Sequence, residues 1–232
     1  MSALRCNNLS VLLSTESPQI PPIQWYHAFS QGKRIAKAEK RQVNQLLTAT
    51  RRYNHISVRT LDVGCGINKL PGAIGIDRNS STGADVLCDL DRFPYPFRDA
   101  SFDRLQAIHV IEHISDVIKT MEEFHRLLRP GGEVLIVTPH YTDFSSFCDP
   151  THRWHLTSFS LRYFTEQDFS FGYYSSARFE ELSVRVKLLA LWRYLGFELA
   201  VNASPRFRRF WEYYLCYLVR GKVIEWRLRA VK

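Results

Sequence analysis

Residues 61–66 read Leu61-Asp62-Val63-Gly64-Cys65-Gly66, and shortly after comes Gly75-Ile76-Asp77. One apolar run closes on a pair of glycines, and a second closes on a carboxylate. Without a Cβ, glycine lets the chain turn sharply and lets a ligand lie against bare backbone. An acid at the end of the second strand can accept ribose hydroxyls, and ligands of open α/β sheets bind at this carboxyl edge. A dinucleotide fingerprint would need a third glycine and an acid about 20 residues further on. Asn68 and Lys69 occupy the places for that glycine, and Asp77 comes too early. A nicotinamide dinucleotide is therefore disfavoured.

Working outward, the middle of the chain alternates. Strands are expected at 57–63, 73–77, 84–89, 102–108 and 133–138. A helix is expected at 115–128, with Ser115 as its N-cap and Val117, Ile118, Met121, Phe124 and Leu128 at helical spacing. Pro130, Gly131 and Gly132 stop that helix. Strands alternating with helices imply a parallel sheet covered on both faces. The short link between Gly64 and Ala73 leaves the first crossover helix one turn or absent, because a parallel crossover normally takes a dozen or more residues. In the last third, 156–166 reads as helix, and 179–187 and 223–231 read as strands of an antiparallel hairpin. Between them, 188–220 is an aromatic and basic insertion, expected as two short helices broken near Pro205. At the other end, residues 1–28 read as an arm, with Pro18, Pro21 and Pro22 opposing regular structure, and 29–53 as a helix beginning the main domain, 29–232.

The blocks LDVGCG, GID, VLCDLDRFPYPFRDASFD, HVIEHI and LRPGGEVLIVTP stand in this order over about 59–139. Together they resemble the class I, Rossmann-like methyltransferases that use S-adenosylmethionine, particularly the type 11 small-molecule branch. The resemblance implies a seven-stranded α/β sheet: parallel strands closed by a C-terminal antiparallel hairpin. It also implies that Asp62, Gly64 and Gly66 cradle the methionine part of S-adenosylmethionine and that Asp77 binds its ribose. By the same resemblance Asp89 meets the adenine amino group, Leu90 packs beside the ring, and His109 lines the methionyl end. Carboxylates suit a ligand that carries a diol, an amino group, an ammonium and a sulfonium.

Methyl transfer requires an aligned acceptor and often a base. The segment after the fifth strand holds His140-Tyr141-Thr142-Asp143 and Asp149-Pro150-Thr151-His152-Arg153-Trp154-His155. His152 and His140 are the candidate bases, since histidine titrates near neutral pH. The DPTH stretch resembles a feature of a bacterial branch associated with saccharide and natural-product biosynthesis, so the expected reaction is O-methylation of such a small molecule. Asp143, Asp149, His140, His152 and His155 could make a mixed metal site. Their spacing matches no signature, so no metal is expected. His113 is read as supporting the following helix start, and Cys65 as a poor nucleophile.

Net charge is +6 over 1–57, −5 over 58–185 and +7 over 186–232, so two basic flanks enclose an acidic middle. The flanks keep two alternatives open: a nucleic-acid methyltransferase, or a non-catalytic, membrane-peripheral protein on the same fold that uses 188–220. Against nucleic acid, Ala107-Ile108-His109-Val110 stands where amino-methylating enzymes carry their Pro-Pro tetrad. Five scattered cysteines without a C-x-x-C pair, no secretory leader and no apolar run long enough to span a bilayer fit a cytoplasmic setting.

Overall fold

Strand β1 (Thr60–Val63) is almost wholly buried and lies at the middle of the fold. The computed structural model describes residues 58–165 and 172–232; the arm at 1–28 and the helix at 29–53 lie outside them. The other strands are β2 (Ile74–Asp77), β3 (Val86–Leu87), β4 (Phe102–Ile108), β5 (Leu128–Pro139), β6 (Arg178–Leu188) and β7 (Gly221–Val231). They form one seven-stranded sheet in the order β3-β2-β1-β4-β5-β7-β6. β1 to β5 pair in parallel. β7 runs antiparallel to both β5 and β6. The expected sheet and closing hairpin are present, though β3 is shorter than expected.

The order in which successive strands are added reverses between β1 and β4, although the two strands run parallel. That switch opens a crevice at their carboxyl ends, where ligands of such sheets bind. As the spacing required, 64–73 makes turns and no helix. Among the described residues the only long crossover helix is α1 (Val117–Leu127), between β4 and β5. Its N-cap is Asp116, one residue beyond the expected Ser115, and the Asp116 carboxylate accepts from Lys119 N at 2.9 Å. Met121, Phe124 and Leu127 are completely buried against Leu105, Val134 and Ile136 of the sheet. Buried Glu123 accepts from Tyr95 N at 2.6 Å and from the Arg126 guanidinium, tying the loop after β3 to α1.

Of the segment expected as helix, 156–166, residues 158–161 are turn and only 162–165 are helical, residue 166 lying outside the described residues. Phe159 N donates to Thr157 Oγ1 and Thr157 N to Ser160 Oγ, so hydroxyls take the bonds a helix would need. Two four-residue helices remain hereabouts, α2 (Ser145–Cys148) and α3 (Arg162–Thr165).

The insertion holds three helices where two were expected: α4 (Ala190–Tyr194), α5 (Phe197–Ala203) and α6 (Pro205–Tyr214). Gly196, at φ 81°, makes the extra break, a conformation that favours glycine. Ser204 caps α6 through Phe207 N at 3.1 Å, with Pro205 in the first turn. The insertion completes the edge strand β6. Asn202 pairs with both backbone groups of Val186, Glu198 accepts from Leu188 N, and Arg208 donates to Val184 O. Over 184–188 this edge is thus covered and offers no free ladder to another chain. Val186, Leu188, Val201, Trp211, Cys216 and Val219 pack as a second small core beneath it.

Candidate active site at the carboxyl edge of the sheet

The glycine turn leaves β1 with Gly64 at φ 61° and Gly66 at φ 52°. The two glycines are needed for different reasons. A Cβ on Gly64 would stand 2.5 Å from Val110 Cγ2, so the residues after β4 pack directly on it. A Cβ on Gly66 would meet nothing within 4 Å, so the turn there presents open backbone at the crevice. Gly64→Ala is therefore expected to cost about 2–4 kcal/mol through left-handed strain and overpacking. A shift in the urea midpoint checks this, and a loss under about 0.5 kcal/mol, the usual range for surface changes, would contradict it.

Three expected acids line the same edge. Buried Asp62 accepts from Leu70 N at 2.7 Å and holds the far end of the turn. Asp77, at the end of β2, accepts from Gly66 N at 3.0 Å and Asn79 N at 2.9 Å. Asp89, after β3, is exposed and pairs with Arg92 at 3.2 Å, with half-buried Leu90 beside it. A further acid that sequence reasoning passed over, Asp85, binds Lys69 and Gly75 N and braces the turn from outside. Cys65 sits among these carboxylates. Burial first, then the charges of Asp62 and Asp77, push its thiol up, so it is a poor nucleophile.

His109, directly after β4, is in the left-handed region at φ 55°, an uncommon conformation for a non-glycine residue. Its side chain is half exposed, with Nδ1 3.3 Å from Glu112 Oε1. The stretch after β5 folds back onto this segment: Arg153 N and Trp154 N both donate to Glu112 O, and Trp154 Nε1 donates to Ile114 O. This brings His152 to His113, ring centroids 4.6 Å apart. His113, expected to support a helix start, contacts Thr151 Oγ1 at 2.9 Å.

The two candidate bases fare differently. His140 has no exposed surface. Its ring lies against Trp211 and Tyr141, with Nδ1 on Thr142 Oγ1 at 2.8 Å and Nε2 on Glu212 Oε1 at 3.4 Å. Gly221 is glycine because a Cβ there would lie 2.6 Å from His140 Cγ. His140 therefore fastens the insertion to the end of β5, so one of the two residues expected as a base is fully enclosed in this structure. Its partner Glu212, unmarked in the sequence, also accepts from Ser158 N at 2.8 Å. Burial pushes this carboxyl up, but the His140 and Ser158 bonds outweigh it and leave Glu212 below the usual carboxylate range. His152 is less enclosed but its side chain is only 7% exposed, with Nδ1 on Ser146 O at 3.0 Å.

Of the five residues considered as a metal set, Asp149 and His152 lie together, 3.8 Å apart, and the other three are engaged elsewhere. Asp143 holds Ser145, His155 holds Ser146 and stacks on Phe147, and His140 is enclosed. Glu112, His113 and His152 instead converge, each offering one ligand-competent atom within 4.8 Å of the others.

Residues 65–136 match the family described as methyltransferase domain. The chain is 33% identical over 129 residues to the methyltransferase GfsG of Streptomyces halstedii, covering 44% of each chain. It is 31% identical over 123 residues to a probable S-adenosylmethionine-dependent methyltransferase of Mycolicibacterium smegmatis, covering 46% of this chain and 48% of that one. The chain thus spans about half the length of these curated relatives. Its fold is similar to that of a SAM-dependent methyltransferase structure from Archaeoglobus fulgidus, with TM-score 0.53 and 15% identity over 82% of this chain and 94% of that one.

Proposed function

We propose that this chain, whose residues 65–136 match the methyltransferase-domain family, is a class I methyltransferase that transfers a methyl group from S-adenosylmethionine to an oxygen of a small-molecule acceptor. The observation that carries the reading is the open backbone at Gly66 facing the Asp77 carboxylate, at the switch point of the sheet. Bare backbone and an acid at that point fit a ribose and a cationic methionine end. When bound, S-adenosylmethionine supplies an electrophilic methyl on a sulfonium.

Each residue then has a task. Asp77 accepts the ribose hydroxyls, Asp89 and Leu90 hold adenine, and Asp62 keeps the turn shaped around the methionyl group. His109 stands half exposed at the end of β4 and faces the methyl end. The acceptor lies beyond it, along the ends of β4 and β5, against the cluster that contains His152. The insertion rises from the same edge, because β6 ends and β7 begins beside Pro139, and it walls the acceptor side. Alignment of the acceptor with the methyl supplies much of the rate in such a displacement.

A second reading concerns the acceptor's surroundings. Tyr194, Leu199, Tyr213, Tyr214, Tyr217 and Leu218 of the insertion are all more than two-thirds exposed. Aromatic residues mixed with arginine suit a lipid interface, so a lipophilic acceptor presented at a membrane fits this rim. No helix among the described residues is long and apolar enough to cross a membrane.

One assay tests both readings. Methyl-labelled S-adenosylmethionine is supplied with soluble saccharides, with lipophilic metabolites in anionic vesicles, or with RNA. Label in the saccharide or lipid fraction is expected. Label confined to RNA, with the signal falling steeply as salt rises, would replace the small-molecule reading.

A further inference from the structure

We propose that Glu112, His113 and His152 form a binding site for one divalent transition-metal ion of the zinc, iron(II) or cobalt(II) class. The inference begins with an orphaned group. Glu112 is 1% exposed; Oε1 faces His109, and Oε2 is buried without a hydrogen-bond partner among the described residues. A buried carboxylate without compensation is costly, and a cation is one of the few partners that would offset it.

The hydrogen bonds around the two histidines fix where their lone pairs lie. His152 Nδ1 faces the Ser146 carbonyl, which can only accept, so Nδ1 carries the proton and Nε2 keeps its lone pair. Thr151 Oγ1 donates its single proton to Asp149 Oδ1 at 2.7 Å, so towards His113 it acts as acceptor. His113 Nδ1 therefore carries its proton too, and its Nε2 is likewise free. A metal-binding imidazole characteristically donates its second ring N–H to a carbonyl or a carboxylate-linked group, which sets its tautomer and orientation. Both histidines here show that arrangement before any ion is added. Asp149 Oδ2, 3.8 Å from His152 Nε2, is too far to hydrogen-bond it and stands as a neighbouring oxygen.

Two imidazoles and one carboxylate favour borderline transition metals over magnesium or calcium, which take oxygen ligands. Three protein ligands leave positions open, as reactive metal sites do. The His152 side chain is only 7% exposed, but His113 is partly buried and Thr151 is exposed, so an ion can enter from their side. The cluster follows directly on Val110, which packs against Gly64, so it lies at the edge where the acceptor is placed. Metal binding stands on these side chains alone. That acceptor oxygens fill the open positions rests on the methyl-transfer reading, and it would make His152 a metal ligand instead of a free base.

The test uses the full chain without a polyhistidine tag, stripped with chelator. It is titrated with Co2+ by visible absorption and with Zn2+ by calorimetry, beside His152→Ala, Glu112→Gln and Thr151→Ala. One equivalent binding at about 1 μM or tighter is expected. Loss of a ligand in H152A or E112Q should weaken binding about 100-fold, and loss of the supporting hydroxyl in T151A about 10-fold. Circular dichroism melting confirms that each variant is folded. Absence of binding by the folded wild type, or equal binding by wild type and folded H152A, overturns the site. S-adenosylmethionine titrated into the same samples separates the two claims: cofactor binding without metal binding removes only the metal site. Metal binding lost in the variants, in a wild type that ignores the cofactor, removes only the methyl-transfer reading.

Discussion

Asp77→Ala is expected to weaken S-adenosylmethionine binding by about 100-fold or more, from two charge-assisted hydrogen bonds at about 1.5–3 kcal/mol each. The residue has two duties. Its carboxylate now holds Gly66 N and Asn79 N, which fixes the turn against the exit of β2. The same oxygens offer the acceptors that a ribose diol requires. Alanine removes both the acceptor and the brace. Asp77→Asn keeps the shape but turns one end into a donor, so a smaller loss of about 10-fold is expected, the equivalent of one such bond. Calorimetric titration with S-adenosylmethionine and S-adenosylhomocysteine measures both. Unchanged affinity in Asp77→Ala would remove Asp77 from the cofactor site and with it the central support for the proposed activity.

Trp211→Ala should lower stability by about 3–5 kcal/mol, the cost of emptying a large buried aromatic site. Trp211 is 1% exposed at the centre of the small core under the insertion. Its indole N–H donates to Val219 O at 2.9 Å, and its ring supports His140. Removal leaves that carbonyl orphaned and loosens His140 from Glu212. Because Glu212 titrates below its ordinary value, the stability it provides is present above the usual carboxyl pKa and is lost as pH falls through its lowered one. Urea unfolding at neutral pH therefore reads the larger difference between wild type and variant, and the difference should narrow at acid pH. A loss under about 1 kcal/mol, no more than an average substitution, would mean that the insertion unfolds apart from the sheet.

Much of the sheet was legible because its information is local. Leu61, Val63 and Ile76 sit in short apolar runs that end on glycine or aspartate, and β7 alternates visibly. The glycine turn and Asp77 could be placed for the same reason. What could not be read depends on distant partners. His140 looks reactive in the sequence, and only Glu212, seventy-two residues on, shows that it is a buried fastening. Glu112 and His113 look like a helix approach until Arg153 and Trp154 bind back to Glu112 O and bring in His152. The helix expected over 156–166 has apolar Leu161 and Phe164 inside, as a helix would. Thr157 and Ser160 spend their hydroxyls on local backbone and hold turns instead. In the insertion, Gly196 was the unread signal for a third helix.

The order of strands also governs how the chain can be assembled as it is made. β7, the last strand in chain order, lies between β5 and β6. While the ribosome is still delivering residues 190–220, β1 to β5 can already pair, but β6 has no neighbour to join. It must wait beside an open β5 edge until 221–231 emerges and slots between them. The parallel part of the sheet can thus be born early, whereas the antiparallel part is completed in one late step. During that interval β5 and β6 both expose unpaired backbone, and nascent chains are most at risk of joining one another there.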